Sequence, residues 1–164
     1  MEDNEVVERP TESPHENEAV TRRWFTEGWT TNADLADEVF DTEFATNGIV
    51  VGIEGPRSTV LRRLDGFPDL STVIEDVVAT GDMVVIRVLW RGTHTGSYAG
   101  LAPTGKHVSV RVISMWRFER GKVVENWTLQ DQFGLLQQVG YLSPELTTAQ
   151  GTTTAQPTEG RLKT

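Results

Sequence analysis

Asp131 is the residue of this sequence whose type and position most favour chemistry. It follows a predicted strand, Lys122–Gln130, and precedes a predicted helix that begins at Gln132. Side chains alternate between the two faces of a strand, and the set that ends in Asp131 includes Trp127 and Leu129. A carboxylate beside such apolar side chains is poorly solvated, which raises its pKa and makes it a candidate acid/base group. Aspartate is also a favoured N-cap, so Asp131 has a second explanation as the cap of the following helix.

Other side chains are candidates for contact with a ligand. His94 lies in a glycine-rich segment after a strand, where it could hold an oxygen or relay a proton; the alternative is an exposed loop histidine. Arg111 lies on a strand between two valines, and its guanidinium needs a carboxylate partner or a ligand oxyanion. Trp127 and Trp90 are candidates for an apolar wall, although Trp24, Trp29, Trp90 and Trp116 are also candidates for the core.

The composition fits one domain. The chain has 164 residues, of which 37% are hydrophobic, and this suits a single core. No stretch approaches the roughly 20 apolar residues that cross a bilayer, and the N-terminus lacks the apolar segment of a signal peptide, so we expect a cytoplasmic protein without a membrane partner. The absence of cysteine excludes thiolate nucleophiles and cysteine-ligated zinc. The three histidines stand at no recognisable metal-ligand spacing.

The acidity of the chain lies largely in its N-terminal tail. The formal net charge is −9, and seven acidic residues fall within residues 1–18. A nucleic-acid partner requires a basic face, so none is expected. Residues 1–14 and 144–164 are polar and low in large apolar residues, which predicts two disordered tails around one domain at residues 15–143.

The order of the predicted elements indicates an α+β domain, with helices first and a run of long antiparallel strands after them. The predicted helices cover residues 16–31, 33–40, 56–64 and 132–139, and the predicted strands cover residues 42–51, 70–80, 83–91, 108–119 and 122–130. Long twisted strands curve into a half-open cone. Helices packed on one face of this cone would leave a pocket, and apolar side chains on the other face favour a homodimer.

Five segments in this order resemble the SnoaL-like polyketide cyclases. They are VTRRWF at 20–25, DLADE at 34–38, GFPDL at 66–70, RGTHTG at 91–96 with PTG at 103–105, and WTLQDQFGLLQQ at 127–138. The resemblance extends over residues 17–142. It implies the nuclear transport factor two-like cone fold, in agreement with the predicted elements.

For function, the resemblance implies a polyketide or ester cyclase that closes a ring by an intramolecular aldol reaction without a cofactor. Asp131 would be its acid/base. Many relatives have a histidine where this chain has Asn47, which can hydrogen-bond a substrate oxygen but cannot carry protons. The expected catalytic residues are Asp131 and His94, and the expected substrate contacts are Asn47, Trp127, Trp90, Arg111 and Leu129. The alternative is a non-catalytic small-molecule-binding or dimerising scaffold with the same fold.

Overall fold

Six strands form a single curved sheet that does not close on itself. The structure is a computed structural model that describes residues 13–142. The strands are β1 Phe40–Thr46, β2 Ile49–Val50, β3 Ser71–Thr80, β4 Met83–Thr93, β5 His107–Glu119 and β6 Lys122–Gln130. Their order in the sheet is β2-β1-β6-β5-β4-β3. The predicted α+β architecture is confirmed.

Strands β3 to β6 form the antiparallel meander that the turn residues predict. Gly81 and the pair Arg120-Gly121 have positive φ, as the tight turns of twisted hairpins require. Strand β1 differs, because it runs parallel to its neighbour β6. Local turn signals predict only pairing between successive strands, so this long-range pairing could not be read from them.

Within residues 13–142, four α-helices accompany the sheet. They are α1 Pro14–Arg23, α2 Ala36–Val39, α3 Glu54–Gly66 and α4 Gln132–Gln138. Helix α1 begins inside the tail predicted to be disordered, because Ser13 caps it through the N–H of Glu16 and proline suits a first helical position. The rest of both predicted tails lies outside the described residues. Within residues 13–142, no helix has the length and apolar content needed to cross a membrane.

A π-helical turn, Trp24–Gly28, extends α1 across the sheet. The ring of Trp24 lies against Gly28, where any Cβ atom would collide with it. This glycine therefore lets Trp24 turn into the core. There its ring packs edge to face against the ring of Phe40, with 4.8 Å between the ring centres. The four predicted core tryptophans are all buried, namely Trp24, Trp29, Trp90 and Trp116.

A β-bulge decides which side chains of β6 face the helices. Burial alternates strictly along β5, whose even-numbered side chains face inward. Between β5 and β6 the pairing shifts, so that Arg117 pairs with Glu125 but Phe118 pairs with Val123. The extra residue, Val124, reverses the alternation of β6 beyond it.

Candidate functional site

A pocket of about 330 Å³ lies between the inner face of the sheet and helix α3. Its volume is at the lower end of the range for small-molecule sites, roughly 300–1,000 Å³. Aromatic side chains of the π-helical turn, of Trp29 directly after it and of β1 supply an apolar wall, and β5 and β6 supply polar groups. The polar groups from β5 and β6 are Ser114, Asn126, Thr128 and Gln130, and β1 adds Thr46.

The polar lining follows from strand register. Ser114 pairs with Thr128 and Trp116 pairs with Asn126 across β5 and β6, so these side chains point inward together. Helix α3 packs mainly on α2 and on the 3-10 turn that precedes α2. It therefore stands away from this part of the sheet and leaves the pocket open.

Two hydroxyl groups form a short relay at the pocket wall. The indole N–H of Trp116 donates to Ser114 Oγ at 2.7 Å, and Ser114 Oγ lies 2.5 Å from Thr128 Oγ1. Two hydroxyls carry two hydrogens, and one of them is used in the contact between them. The other hydroxyl hydrogen has no acceptor within residues 13–142, so it is available to a ligand oxygen. Asn126 Oδ1 is also buried there without a donor.

Arg63 lines the same pocket from helix α3. It is only 5% exposed, and its guanidinium carbon lies 4.0 Å from the ring centre of Trp29. Burial lowers the pKa of Arg63, and the neighbouring Tyr98 hydroxyl opposes this shift. The site thus joins a desolvated cation to a row of neutral polar groups.

The ionisable side chains that line this pocket are Arg62 and Arg63, with no aspartate, glutamate or histidine among them. Within the described part of the chain, no three histidine, aspartate or glutamate side chains converge as metal ligands. The lining can therefore donate hydrogen bonds and hold negative charge, but it offers no side chain of ordinary general-base type.

Asp131 lies outside this pocket. Its side chain is exposed, and its Oδ1 accepts a 2.8 Å hydrogen bond from the N–H of Gly134 as the N-cap of α4. The capping explanation is confirmed. The expectation that its strand face points into the pocket is wrong, because the bulge at Val124 turns that face outward. The acid/base role of Asp131 stays a prediction.

Replacing Asp131 separates its two roles. Asp131→Ala removes the cap and should lower the free energy of unfolding by about 1 kcal/mol, whereas Asp131→Asn keeps an acceptor and should cost a few tenths. Urea unfolding of both variants measures this. We expect both to bind ligand like the wild type, since Asp131 does not line the pocket. A complete loss of turnover in a stable Asp131→Asn variant would instead support acid/base catalysis.

Trp127, Leu129 and Arg111 also lie on the outer face of the sheet, so their expected place at the pocket is wrong. Trp127 is 52% exposed and Leu129 is 80% exposed. Arg111 Nε donates to Glu75 at 3.1 Å, which confirms the ion-pair alternative. The hydrogen bond from Arg111 lowers the pKa of Glu75, with Arg87 adding to the effect.

His94, Trp90 and Asn47 are not part of this pocket lining either. His94 is fully buried rather than exposed, with its ring stacked on Phe67 at 5.2 Å. Trp90 is a core residue with no exposed surface. Asn47 uses its amide on the backbone of Thr128, accepting from N at 2.8 Å and donating to O at 3.3 Å. Asn47 therefore clamps β1 to β6.

Arg63 was missed because charged residues of helices are normally solvated. The available signal was helical spacing, since Val60, Arg63 and Phe67 recur at intervals of three and four residues. All three are buried in the structure. An arginine on the apolar stripe of a short helix thus pointed to a buried cation.

Comparison with known proteins identifies relatives of this chain. The family model described as SnoaL-like polyketide cyclase matches residues 19–139. Similar solved structures include AclR, a proposed hydroxylase from Streptomyces galilaeus, with 26% identity, a TM-score of 0.72 and coverage of 82% of this chain and 88% of AclR. TsrD from Streptomyces laurentii has 25% identity and a TM-score of 0.73, with 80% and 99% of the two chains covered.

A proposed SnoaL-like polyketide cyclase from Jannaschia sp. CCS1 is comparably similar. It has 26% identity and a TM-score of 0.71, and the match covers 80% of this chain and 98% of that chain. No curated protein matches the chain. The matches thus come from the family model and from the solved structures.

Proposed function

Since the chain belongs to the SnoaL-like polyketide cyclase family, we propose that it binds a small, planar, oxygenated substrate and promotes its intramolecular aldol closure without a cofactor. The observation that carries this proposal is the pocket of about 330 Å³ with an aromatic wall on one side and a polar row on the other. Aromatic rings suit a flat ligand, and the polar row suits its carbonyl and hydroxyl oxygens.

Positioning and hydrogen bonding supply the catalysis in this proposal. In the closure, a carbon flanked by two carbonyls loses a proton to water, and the enolate carbon bonds to a ketone carbon. The resulting alkoxide then takes a proton back. The pocket holds the two carbons together, and the hydroxyl hydrogen left by Ser114 and Thr128 stabilises the developing oxyanion.

A turnover assay with the double variant Ser114→Ala/Thr128→Val tests this mechanism. The full chain is incubated with methyl esters of aromatic poly-β-ketones, and ring closure is followed by chromatography with ultraviolet detection. Thr128→Val alone would free the hydrogen of Ser114, which donates or accepts in the contact with Thr128, so both hydroxyls are removed at little change of volume. We expect kcat/KM of the double variant to fall on the order of 100-fold. Thr80→Val, at an exposed position outside the pocket lining, should leave the rate unchanged. Wild-type turnover by the double variant would contradict the proposed role of the hydroxyl pair.

A ligand-binding protein without catalysis is the second candidate. The observation that favours it is the absence of aspartate, glutamate and histidine from the lining of this pocket. A thermal-shift screen with the same esters distinguishes the two functions. Ligand-dependent stabilisation without ring closure by the wild type would favour binding alone, whereas ring closure above the uncatalysed rate would favour the cyclase.

We also propose that the chain forms a homodimer through the outer face of its sheet. The support is a row of exposed apolar side chains that crosses four strands, namely Val78, Val85, Met115 and Trp127. Apolar surface of this kind is uncommon on monomers and typical of interfaces.

A further inference from the structure

Arg63 is a buried cation without a counter-charge among the described residues. It is 5% exposed, and none of the ion pairs formed within residues 13–142 includes it. Buried arginine is ordinarily paired, because an uncompensated charge away from water is costly. Such a residue on a pocket wall requires either a structural reason or an anionic ligand.

Two of the three guanidinium nitrogens of Arg63 have no hydrogen-bond partner within residues 13–142, and the acceptors near the group, the Tyr98 hydroxyl and Gln130, are neutral. Arg63 Nη2 donates to Gln130 Oε1 over 3.4 Å, which is a long contact to a neutral acceptor. Nε and Nη1 are buried and have no hydrogen-bond partner within residues 13–142. Each of the two edges of the planar guanidinium therefore keeps an unpartnered N–H, and both edges match the geometry of a carboxylate.

Two tryptophans hold the guanidinium in place. Its carbon lies 4.0 Å from the ring centre of Trp29 and 5.7 Å from that of Trp90. Stacking of this kind fixes the plane of the guanidinium and attracts its positive charge, but neutral rings cannot balance that charge. The rings thus pre-organise Arg63 for an anion and do not replace one.

We propose that Arg63 binds an ionised oxygen of the ligand, so that the pocket selects planar anions over neutral molecules of similar shape. The proposal rests on the binding function proposed above and names its substrate class, a planar ligand bearing a carboxylate or an acidic enol or phenol. Asn126 Oδ1 is buried on the pocket wall with no donor among residues 13–142, so it would accept a hydrogen bond from a hydroxyl group of the same ligand.

Calorimetric titration of the full chain tests the selection with three probes of similar size. They are 2-naphthoate, methyl 2-naphthoate and 2,4-dinitro-1-naphtholate. We expect the wild type to bind at least one anion on the order of 10- to 100-fold more tightly than the ester, as for hydrogen bonds to charged groups. The preferred anion identifies the oxygen as carboxylate or acidic phenol.

Two substitutions and a control assign the preference to Arg63. Arg63→Met should remove the preference while leaving ester binding in place, and Arg63→Lys should keep part of it as a point charge without the fork. Arg22→Met, which removes an exposed arginine paired with Glu18 on α1, should behave as the wild type. Methionine also relieves the unpaired buried charge, so the Tm of Arg63→Met without ligand should equal or exceed that of the wild type.

Three outcomes would overturn the inference. Equal affinity of the wild type for the anions and the ester would refute selection by Arg63 and leave the binding function standing. Selection retained in Arg63→Met would place the anion elsewhere. Failure of all three probes to bind the wild type would overturn the binding function together with this inference.

Discussion

Gly96→Ala should destabilise the domain by about 3 kcal/mol or more, which corresponds to a fall in Tm on the order of 10 °C. The N–H groups of Thr95 and Gly96 both donate to the carbonyl of Gly66 at 3.1 Å, so the chain after β4 lies directly on the end of α3. A Cβ atom on Gly96 would collide with the carbonyl oxygen of Asp65. Backbone atoms on both sides of this contact leave no side chain that could move aside.

The effect of Gly96→Ala should extend to the pocket. Helix α3 carries Arg63 and Thr59, and both line the pocket. Displacing the end of α3 should therefore weaken ligand binding as well as lower Tm in thermal unfolding. Ser97→Ala, at the exposed neighbouring position, should stay within about 0.5 kcal/mol of the wild type. A Gly96→Ala protein with wild-type Tm would show that the segment is not anchored on α3.

The segment after β4 also shows where sequence patterns stop being informative. Glycines at 92, 96, 100 and 105 are typical of a flexible loop, but residues 92–105 do not line the pocket beside α3. Gly96 is instead required by a close approach between two backbones. Whether a glycine serves flexibility or close approach depends on a neighbour 30 residues away in sequence, which no local pattern reveals.

The fold was predictable because most of its signals are local. Turn residues and alternating apolar side chains predicted β3 to β6 to within a few residues, and burial of the four core tryptophans follows from hydrophobicity alone. The parallel pairing of β1 with β6 depends on distant parts of the chain and was not predictable in this way.

The site was predicted poorly because one bulge reversed one strand. Val123 is fully buried, so alternation counted from it predicts that Trp127 and Leu129 face inward. The extra residue Val124 shifts the count by one, and the polar side chains beginning at Asn126 face the pocket. The usual rule that the apolar face is the inner one also fails here, because the outer face of β6 is the more apolar.

The outer face of the sheet is the basis of a second prediction with a large effect. Met115→Lys should dissociate the proposed homodimer. Met115 pairs with Val85 on one side and with Trp127 on the other, and Val85 pairs with Val78. The four side chains thus form one continuous row, and each is 36–60% exposed.

The charges around the row are compatible with a second copy of the same face. Three arginines on that face are already paired with carboxylates, namely Arg87, Arg111 and Arg117. Two copies could therefore meet there without strong repulsion between like charges. In a two-fold interface every residue occurs twice. Met115→Lys therefore places two unpaired ammonium groups, one from each copy, at the buried centre of the interface.

Sedimentation equilibrium of the full chain over a range of concentrations measures this effect. We expect the wild type to sediment as a dimer and Met115→Lys to weaken the association on the order of 100-fold or more, because each buried ammonium must be desolvated. Val50→Lys is the matched control, since Val50 is a strand residue with 64% exposure at the opposite edge of the sheet. It should sediment as the wild type does. A wild type that stays monomeric at every concentration would refute the dimer, and equal dissociation by both lysine variants would refute this face as its interface.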